Sequence, residues 1–334
     1  MATPKNFGAP EFNDSESDNS AGHNELYDDD EDSDQEKDEK QDTEKKERIL
    51  ITDDVEDPDD NNFWLNVGNV KLTTEDQAIL ESSDMWLNDK IVNAAQILLS
   101  TQFPYISGFQ DTLLQKNHQH PVLTGEFIQI VNERNTHWIT VSTLGVTQPS
   151  ILKVYDSMRK PDYGIQMKEI FAALIHAKGP SILLAIENVQ QQSDSCSCGL
   201  FAIAFATAEC FGQDPRRITF DVSQMRSHLQ SCLENRMMQP FKGNAWMKPH
   251  LLLNMISSFR IYCSCRMPHN PINGDGGMLQ CNLCDERFHK KCEKDHASQW
   301  YGIDVKKQWY CKSCCSIVNK RQTIICTSIA CESG

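Results

Sequence analysis

Apolar residues recur with a helical period in the stretch that begins near Thr73. Leu87, Ile91 and Leu98 are spaced so that they share one face of a helix. A shorter helix fits the sequence TEDQAILES just before them, with Thr73 or Thr74 as its N-cap. We therefore expect two consecutive helices in this part of the chain.

The period then shortens to that of β-strands. Three runs rich in Ile, Val and Thr, namely EFIQIV, HWITVSTL and SILKVYD, are separated by the turn-forming segments NERNT and GVTQP, which predicts neighbouring antiparallel strands. Farther along we expect a helix over YGIQMKEIFAALIHAKG, a buried strand over SILLAIENV, a buried helix over CGLFAIAFATAECFG and another helix over MRSHLQSCLENRMMQPF. This order of elements is typical of an α+β fold.

Composition divides the chain into five parts. An acidic tail (1–60) precedes a first folded domain (61–248). The sequence KGNAWMKPHLLLNMISSFR then predicts a linker that runs into a helix at 249–261. A domain with closely spaced Cys and His follows (262–316), and after it another tail (317–334).

The net charge of −15 is concentrated in the first tail. Residues 1–60 contain 23 Asp and Glu against 6 Lys and Arg, which leaves 24 acidic and 26 basic residues for the rest of the chain. The tail has almost no aliphatic residues and is expected to be disordered. Because the remainder is close to neutral, its composition does not favour bulk nucleic-acid binding.

The chain shows no sign of export or membrane insertion. No basic segment followed by an apolar run occurs at Met1, and no run of about 18 uncharged apolar residues occurs anywhere. We therefore expect an intracellular protein without a membrane partner. In that compartment, 14 cysteines favour metal binding or catalysis over disulfides.

Eight candidate metal ligands follow Tyr262 in four close pairs. They are Cys263, Cys265, Cys281, Cys284, His289, Cys292, Cys311 and Cys314. This number and type of ligand predicts two structural zinc ions, which a domain with so small an apolar core needs. Scattered structural cysteines or a single-site zinc ribbon are the alternatives. Cys315 stands outside the series.

The ligand order, four cysteines, one histidine and three cysteines, resembles the PHD (plant homeodomain) finger over residues 262–314, as do Phe288 before His289 and Trp309 near Cys311. The resemblance implies interleaved sites. One zinc would be held by Cys263, Cys265, His289 and Cys292, and the other by Cys281, Cys284, Cys311 and Cys314.

The same resemblance implies a peptide ligand for the finger, such as a histone tail. Tyr262 and Met278 stand where PHD fingers often line a cage for methylated lysine, whose charge favours aromatic faces. Arg287, however, replaces the usual cage tryptophan and would repel that charge. A structural or protein-docking finger is the alternative.

Three separate segments offer the groups that thiol hydrolysis requires. Cys198 precedes Gly199 and an apolar helix, so the helix macrodipole would stabilise its thiolate. His137 begins one predicted strand and Asp156 ends the next, which places a carboxylate near an imidazole if the strands pair antiparallel. Alone, each residue has an ordinary structural explanation. Together they favour a cysteine hydrolase.

Four motifs, WLND, HW, YDS and QQSDSCSCGLFA, resemble the SUMO-specific (sentrin-specific) proteases over residues 65–245. This papain-like cysteine peptidase family cleaves after the Gly-Gly of ubiquitin-like modifiers. The resemblance implies that His137 is general base and acid, that Asp156 orients it and that Cys198 is the nucleophile. Gln192 would stabilise the oxyanion together with the Cys198 N–H, and no cofactor would take part in catalysis.

The resemblance also implies how the substrate is chosen. Trp86 and Trp138 would flank a narrow tunnel that admits only a Gly-Gly tail, so the implied partners are a ubiquitin-like modifier and its conjugates. One position departs from the family, because Ser197 stands where an Asp usually precedes the nucleophile. With the finger, the resemblance implies an intracellular, nuclear protein.

Two other functions are compatible with the sequence. The same triad could act on a different ubiquitin-like modifier or on a polyprotein, or transfer an acetyl group. Alternatively, the protease domain could be catalytically degenerate, and the protein a chromatin or protein-binding adaptor whose finger supplies the function.

Overall fold

The structure, a computed structural model, describes residues 62–117, 121, 123, 125–175, 177–245, 254–271, 277–293 and 309–318. The predicted acidic tail at 1–60 lies outside these residues, as does all but the start of the predicted tail at 317–334.

The helices predicted from apolar spacing are confirmed. They are α1 (Thr74–Glu81), α2 (Asp89–Gln102), α3 (Ile165–Ile175), α4 (Cys198–Cys210) and α5 (Val222–Glu234). Thr73 is the N-cap of α1, and its hydroxyl and the Asp76 carboxylate form a capping box. None of the helices in the described segments is long and apolar enough to cross a bilayer.

The strands lie in one large sheet and three small ones. They are β1 (Phe63–Val67), β2 (Val70–Thr73), β3 (Ser107–Gly108), β4 (Phe127–Glu133), β5 (His137–Ser142), β6 (Ile151–Tyr155), β7 (Ser181–Ile186), β8 (Ile218–Phe220), β9 (Gly243–Ala245), β10 (Met255–Arg260), β11 (Met278–Gln280) and β12 (Arg287–His289).

The large sheet has the order β10-β7-β6-β5-β4-β3. The predicted antiparallel pairing of β4, β5 and β6 is confirmed. Between β6 and β7 the chain passes through α3, and this crossover allows the two strands to run parallel. The fold is therefore a mixture of α and β elements around a mixed sheet.

Helices cover both faces of this sheet. Side chains alternate along β4, so that Ile128 and Ile130 pack with α2 and α4 whereas Phe127 and Val131 pack with α3. Helix α4 is apolar on every side, and all of its residues except Glu209 are buried. The N-terminus of α4 is thereby fixed in the interior of the domain.

The prediction of a linker and helix at 249–261 is wrong for the described residues. Residues 255–260 form β10, which pairs antiparallel with β7 from Met255 opposite Ile186 to Arg260 opposite Ser181. Exposure alternates along β10 and Phe259 points into the core, as a period of two requires. A short apolar run such as this one can form a helix or a strand, and sequence alone does not distinguish them. Pairing with the edge of β7 stabilises the strand.

The hairpin of β1 and β2 was not predicted. Its two-residue turn contains Gly68, whose φ of 56° is a left-handed conformation that glycine adopts without strain. The Gly-Asn pair at this turn was the available signal.

Candidate active site and metal clusters

His137 and Asp156 form a buried pair. His137 is the first residue of β5, Asp156 follows β6, and the pairing of these strands places Thr140 opposite Tyr155. His137 Nε2 lies 2.6 Å from Asp156 Oδ1. The two residues are 4% and 0% exposed, so water hardly competes with this bond.

Both oxygens of Asp156 are hydrogen-bonded. Oδ1 also accepts the Met158 N–H at 2.8 Å, and Oδ2 accepts the Tyr163 hydroxyl at 2.8 Å. Burial alone would raise the pKa of Asp156, but the bond to His137 and its charge, with the Met158 and Tyr163 donors, lower it below the usual value. The carboxylate is therefore ionised and held in one orientation.

Burial and the neighbouring side chains shift the pKa of His137 in opposite directions. Burial alone would lower its pKa, but the hydrogen bond and charge of Asp156 and the neighbouring Cys198 raise it to about 9. Since Asp156 occupies Nε2, Nδ1 is the atom left to meet Cys198. Nδ1 is buried and has no partner at full hydrogen-bonding geometry among the described residues, so the contact with the thiol is a loose one.

Cys198 is the first residue of α4 and is 2% exposed. The first N–H groups of a helix have no intrahelical acceptor, so the Cys198 N–H is available to an oxyanion. The preceding turn is held by Asp194, which accepts the N–H groups of Cys196 and Ser197 at 2.8 and 2.7 Å. Asp194 also accepts the Ser197 hydroxyl at 2.9 Å.

Sequence reasoning missed Asp194. The available signal was the spacing of an Asx turn, in which an Asp side chain accepts the backbone N–H of the residue two positions later, here Cys196. The Ser197 hydroxyl donates to Asp194 within this turn and does not cap α4 itself. Ser197 therefore helps to hold the turn before Cys198.

The Gln192 side chain is fixed at both ends. Its Oε1 accepts the Ser157 hydroxyl at 2.7 Å and its Nε2 donates to Asp194 O at 2.7 Å. The Gln192 backbone N–H donates to Ser157 O at 2.9 Å. An amide carries two N–H donors, so one remains for another acceptor. Ser157, the residue after Asp156, thus orients the Gln192 side chain. The sequence did not reveal this role of Ser157.

Trp86, Trp138 and Cys198 line one cleft with a volume of about 240 Å³. Trp138 is 6% exposed and donates Nε1–H to Leu87 O at 2.9 Å, whereas Trp86 is 46% exposed. A Cβ at Gly199 would lie 2.9 Å from Leu87 Cβ and 3.1 Å from Trp138 Cδ1. Only glycine after Cys198 allows the start of α4 to approach the cleft wall this closely.

Tyr163→Phe should slow alkylation of Cys198 by iodoacetamide at pH 6 about tenfold. The change leaves Oδ2 of Asp156 without its donor, so the carboxylate is no longer held in the one orientation that places Oδ1 against His137. The rate is measured by mass spectrometry of the Cys198 peptide. Tyr155→Phe is the matched control, because the Tyr155 hydroxyl donates to Glu209 instead, and equal effects of both changes would contradict the role of Tyr163.

Two groups of four residues could each hold a metal ion. The first is Cys263, Cys265, His289 and Cys292, and the second is Cys281, Cys284, Cys311 and Cys314. Within each group the ligand atoms lie within 4.8 Å of one another. Tetrahedral zinc with Zn–S bonds near 2.3 Å separates its sulfurs by roughly 3.8 Å, so these donor sets fit zinc.

The described residues of the cluster region (262–271, 277–293 and 309–318) form a small apolar core. Phe288 packs edge-on against Trp309 at a centroid distance of 5.5 Å, and both rings cover the second cluster. Tyr262, predicted to line a methyl-lysine cage, has the Arg260 guanidinium 5.8 Å from its ring centroid. The protein's own cation therefore occupies this ring, and Arg287 is exposed on β12. This geometry gives no support to a histone-tail ligand.

Residues of this region also contact α3 and its following turn. The Arg266 guanidinium donates to Ala177 O at 3.0 Å and to Gly179 O, and Asn270 Nδ2 donates to Glu169 Oε1 at 3.0 Å. With β10 in the large sheet, these contacts join the metal clusters to the rest of the domain.

No family model matches the chain, and no curated protein matches it. Among solved structures, it is similar to the SUMO protease Ulp1 with the catalytic cysteine oxidized to a sulfenic acid (14% identity, 51% of this chain and 87% of that chain, TM-score 0.42). It is also similar to the C-terminal Ulp1 protease domain in complex with Smt3, the yeast orthologue of SUMO (14% identity, 53% and 88%, TM-score 0.43).

A further similar structure is the Xanthomonas campestris effector XopD bound to ubiquitin (15% identity, 45% of this chain and 92% of that chain, TM-score 0.33). At these identities and TM-scores the matches carry no conclusion about the chemistry of this chain.

Proposed function

We propose that the protein is a cysteine-type isopeptidase and endopeptidase, with a papain-like catalytic domain, that cleaves after the C-terminal Gly-Gly of SUMO or a related ubiquitin-like modifier. The observation that carries the proposal is the buried 2.6 Å contact of His137 with Asp156, beside Cys198 at the N-terminus of α4. A carboxylate, an imidazole and a thiol in this order are the groups of a cysteine protease.

In the proposed reaction, the Cys198 thiolate attacks the carbonyl carbon of the terminal glycine. The carbonyl oxygen becomes an oxyanion, which accepts hydrogen bonds from the Cys198 N–H and from the remaining Gln192 N–H. Collapse of this intermediate breaks the C–N bond while protonated His137 donates its proton to the leaving lysine amine. A thioester joins the modifier to Cys198.

Water then completes the cycle. Neutral His137 takes a proton from the water as it attacks the thioester, and the tetrahedral intermediate expels the Cys198 thiolate. The acid product releases its remaining proton to solvent and leaves as the modifier carboxylate, and the Cys198 thiolate with protonated His137 is the starting state. On a precursor tail the same steps cleave a peptide bond and mature the modifier.

Specificity for glycine is supported by the two tryptophans that line the cleft beside Cys198. The indole rings of Trp86 and Trp138 would restrict the space for side chains next to the scissile bond. Residues without side chains are therefore the favoured occupants.

A panel of substrates tests this function. Fusions of SUMO, ubiquitin and other modifiers to a reporter, joined through Gly-Gly, are incubated with the full chain and cleavage is followed by gel. We expect at least one modifier to be cleaved after Gly-Gly, and the same fusion with Gly-Gly changed to Ala-Ala to resist. A protein that cleaves none of them but still binds nuclear partners would instead support an inert adaptor.

The activity should decline as the pH rises through about 9. The leaving amine needs the proton of His137, whose pKa is raised to about 9, so kcat/KM falls when this proton is lost. The same shift, a folded pKa above the unfolded value, stabilises the fold below about pH 6.5 and ceases to do so as the pH passes 9. A decline in kcat/KM centred near pH 6.5, or no decline up to pH 10, would contradict the assignment of His137 as the group that protonates the leaving amine.

We also propose that the two clusters hold zinc as an interleaved, PHD-type finger that docks a protein. The fit of the Cys₃His and Cys₄ donor sets supports this. Metal analysis of purified protein should find about two zinc ions per chain, and Cys284→Ser should reduce this to about one. Retention of two ions by the Cys284→Ser variant would rule out the second site.

A further inference from the structure

Asp194 is hydrogen-bonded to both segments that supply the donors of the proposed oxyanion site. Its Oδ1 accepts the N–H groups of Cys196 and Ser197 at 2.8 and 2.7 Å, and its Oδ2 accepts the Ser197 hydroxyl at 2.9 Å. Its backbone carbonyl accepts the Gln192 Nε2–H at 2.7 Å. One residue therefore holds the turn that leads into Cys198 and also the side chain of Gln192.

The side chain of Asp194 restricts the direction of the next backbone N–H. The N–H groups of Cys196, Ser197 and Cys198 follow one another along the chain, and the first two donate to the same carboxylate oxygen. Each peptide unit is planar, so once two units are fixed, mainly the backbone dihedrals of Ser197 set the direction of the Cys198 N–H. The hydroxyl of Ser197 is held by Asp194 as well. The orientation of the first N–H of α4 therefore depends on this carboxylate.

The carboxylate of Asp194 suits its three donors. Burial alone would raise its pKa, but the N–H groups of Cys196 and Ser197 and the Ser197 hydroxyl lower it below the usual value. An ionised carboxylate has only acceptors, so each of the three donors meets an acceptor. Asp194 is itself exposed and adds little to the packing of the core. Removing its side chain should therefore disorder the turn without unfolding the domain.

We propose that Asp194 is a positioning residue that assembles the oxyanion site by holding the Gln192 amide and the Cys198 N–H in one arrangement. This inference rests on the proposed function and adds the residue on which its transition state depends. Asp194 acts through the two donors and takes no part in the bonds that form and break. Because the donors bind the oxyanion more strongly than the ground-state carbonyl, Asp194 should affect the rate of acylation and not substrate binding.

Two reagents for the Cys198 thiolate separate this role from a structural one. With N-acetylglycine 4-nitrophenyl ester, the thiolate adds to the carbonyl carbon, and the resulting oxyanion collapses to a thioester and 4-nitrophenolate. With iodoacetamide, the thiolate displaces iodide from a saturated carbon and no oxyanion forms. In Asp194→Ala, acylation by the ester should be slowed at least about tenfold, whereas alkylation should stay within about twofold of wild type. Release of 4-nitrophenolate, corrected for the rate in Cys198→Ala, and mass spectrometry of the Cys198 peptide measure the two rates.

Conservative and matched variants complete the comparison. Asp194→Asn keeps an oxygen that can accept the two N–H groups, and it should acylate within about threefold of wild type. Asp221→Ala is the matched control, since Asp221 Oδ1 accepts the Ser223 N–H at 3.2 Å and the Ser223 hydroxyl at 2.6 Å at the start of α5. It should lower the melting temperature, as the loss of a helix cap does, and change neither rate. If Asp194→Ala does not fold, Asp194→Glu, which keeps the charge but displaces the acceptor, gives the same comparison.

Turnover of a modifier fusion provides a second measurement. In Asp194→Ala, kcat should fall at least about tenfold while KM stays within about twofold, because the donors are used in the transition state. In the Gln192→Ala background the same substitution should have a smaller effect, because one of the two donors is then already missing.

The outcomes separate the two proposals. Equal slowing of acylation and alkylation in Asp194→Ala, or equal slowing of acylation in Asp194→Ala and Asp221→Ala, would overturn the role of Asp194 even if the wild type cleaves modifier fusions. Acylation of the wild type no faster than that of Cys198→Ala would overturn it too. If no fusion is cleaved but the ester and iodoacetamide rates separate as expected, the inference stands and the proposed function fails.

Discussion

Replacing Cys198 with alanine should reduce cleavage of a Gly-Gly modifier fusion by at least about 10⁴-fold. The variant keeps His137, Asp156 and the cleft but has no nucleophile that can form the thioester. Cys198 is 2% exposed at the start of α4, and the smaller side chain should leave the melting temperature within a few degrees of wild type. Cleavage rates and thermal unfolding are measured on the same preparations.

Cys196→Ala is the control two residues away. The Cys196 thiol contacts Ser83 O at 3.5 Å and Asp194 Oδ1 at 3.4 Å. Neither contact involves His137 or Asp156. Burial and the nearby Asp194 carboxylate raise the pKa of Cys196, so it is a protonated thiol at neutral pH. This variant should keep most of its activity. Loss of activity in Cys196→Ala, or its survival in Cys198→Ala, would contradict the assignment.

Ending the chain at residue 254 should prevent the domain that contains His137 and Cys198 from folding stably. The truncation removes β10 and opens β7 along its whole edge. It also removes Phe259 and Ile261, which are 8% and 2% exposed in the core with α3. Burial of each such side chain is worth about 1.5–3 kcal/mol. The sum is a large part of the roughly 5–15 kcal/mol that stabilises a domain, so we expect insoluble protein or a melting temperature lower by roughly 10 °C or more.

A second truncation, after residue 261, isolates the contribution of the strand. It keeps β10 and Ile261 but removes both metal clusters and the contacts of Arg266 and Asn270 with α3 and its following turn. We expect this protein to fold and to melt only a few degrees below the full chain. Equal melting temperatures for the two truncations would show that β10 does not support the catalytic domain.

The positions of the candidate site residues could be predicted where they depend on local patterns. His137 and Asp156 were expected to meet because two short-linked strands pair antiparallel, and the structure joins them at 2.6 Å. Cys198 was expected at a helix N-terminus because Gly199 opens a long apolar run, and α4 begins there. The two sets of metal ligands were expected from the resemblance to PHD fingers, and the structure groups the same residues.

The parts that sequence did not reveal depend on contacts between distant segments. The conformation of β10 was set by the free edge of β7, about seventy residues earlier in the chain. The Ser157 hydroxyl orients Gln192 and the Tyr163 hydroxyl orients Asp156. Neither role could be predicted, because the sequence does not distinguish a buried serine or tyrosine hydroxyl from one that faces water.

We expect Cys198 to attack the C-terminus of a ubiquitin-like modifier. The full chain is incubated with a panel of such modifiers, each carrying a C-terminal vinyl sulfone, and its intact mass and modified peptides are determined. We expect one covalent adduct per chain, on Cys198, with at least one modifier, and none with Cys198→Ala. An adduct on Cys196 or another cysteine, or no adduct with any modifier, would contradict it.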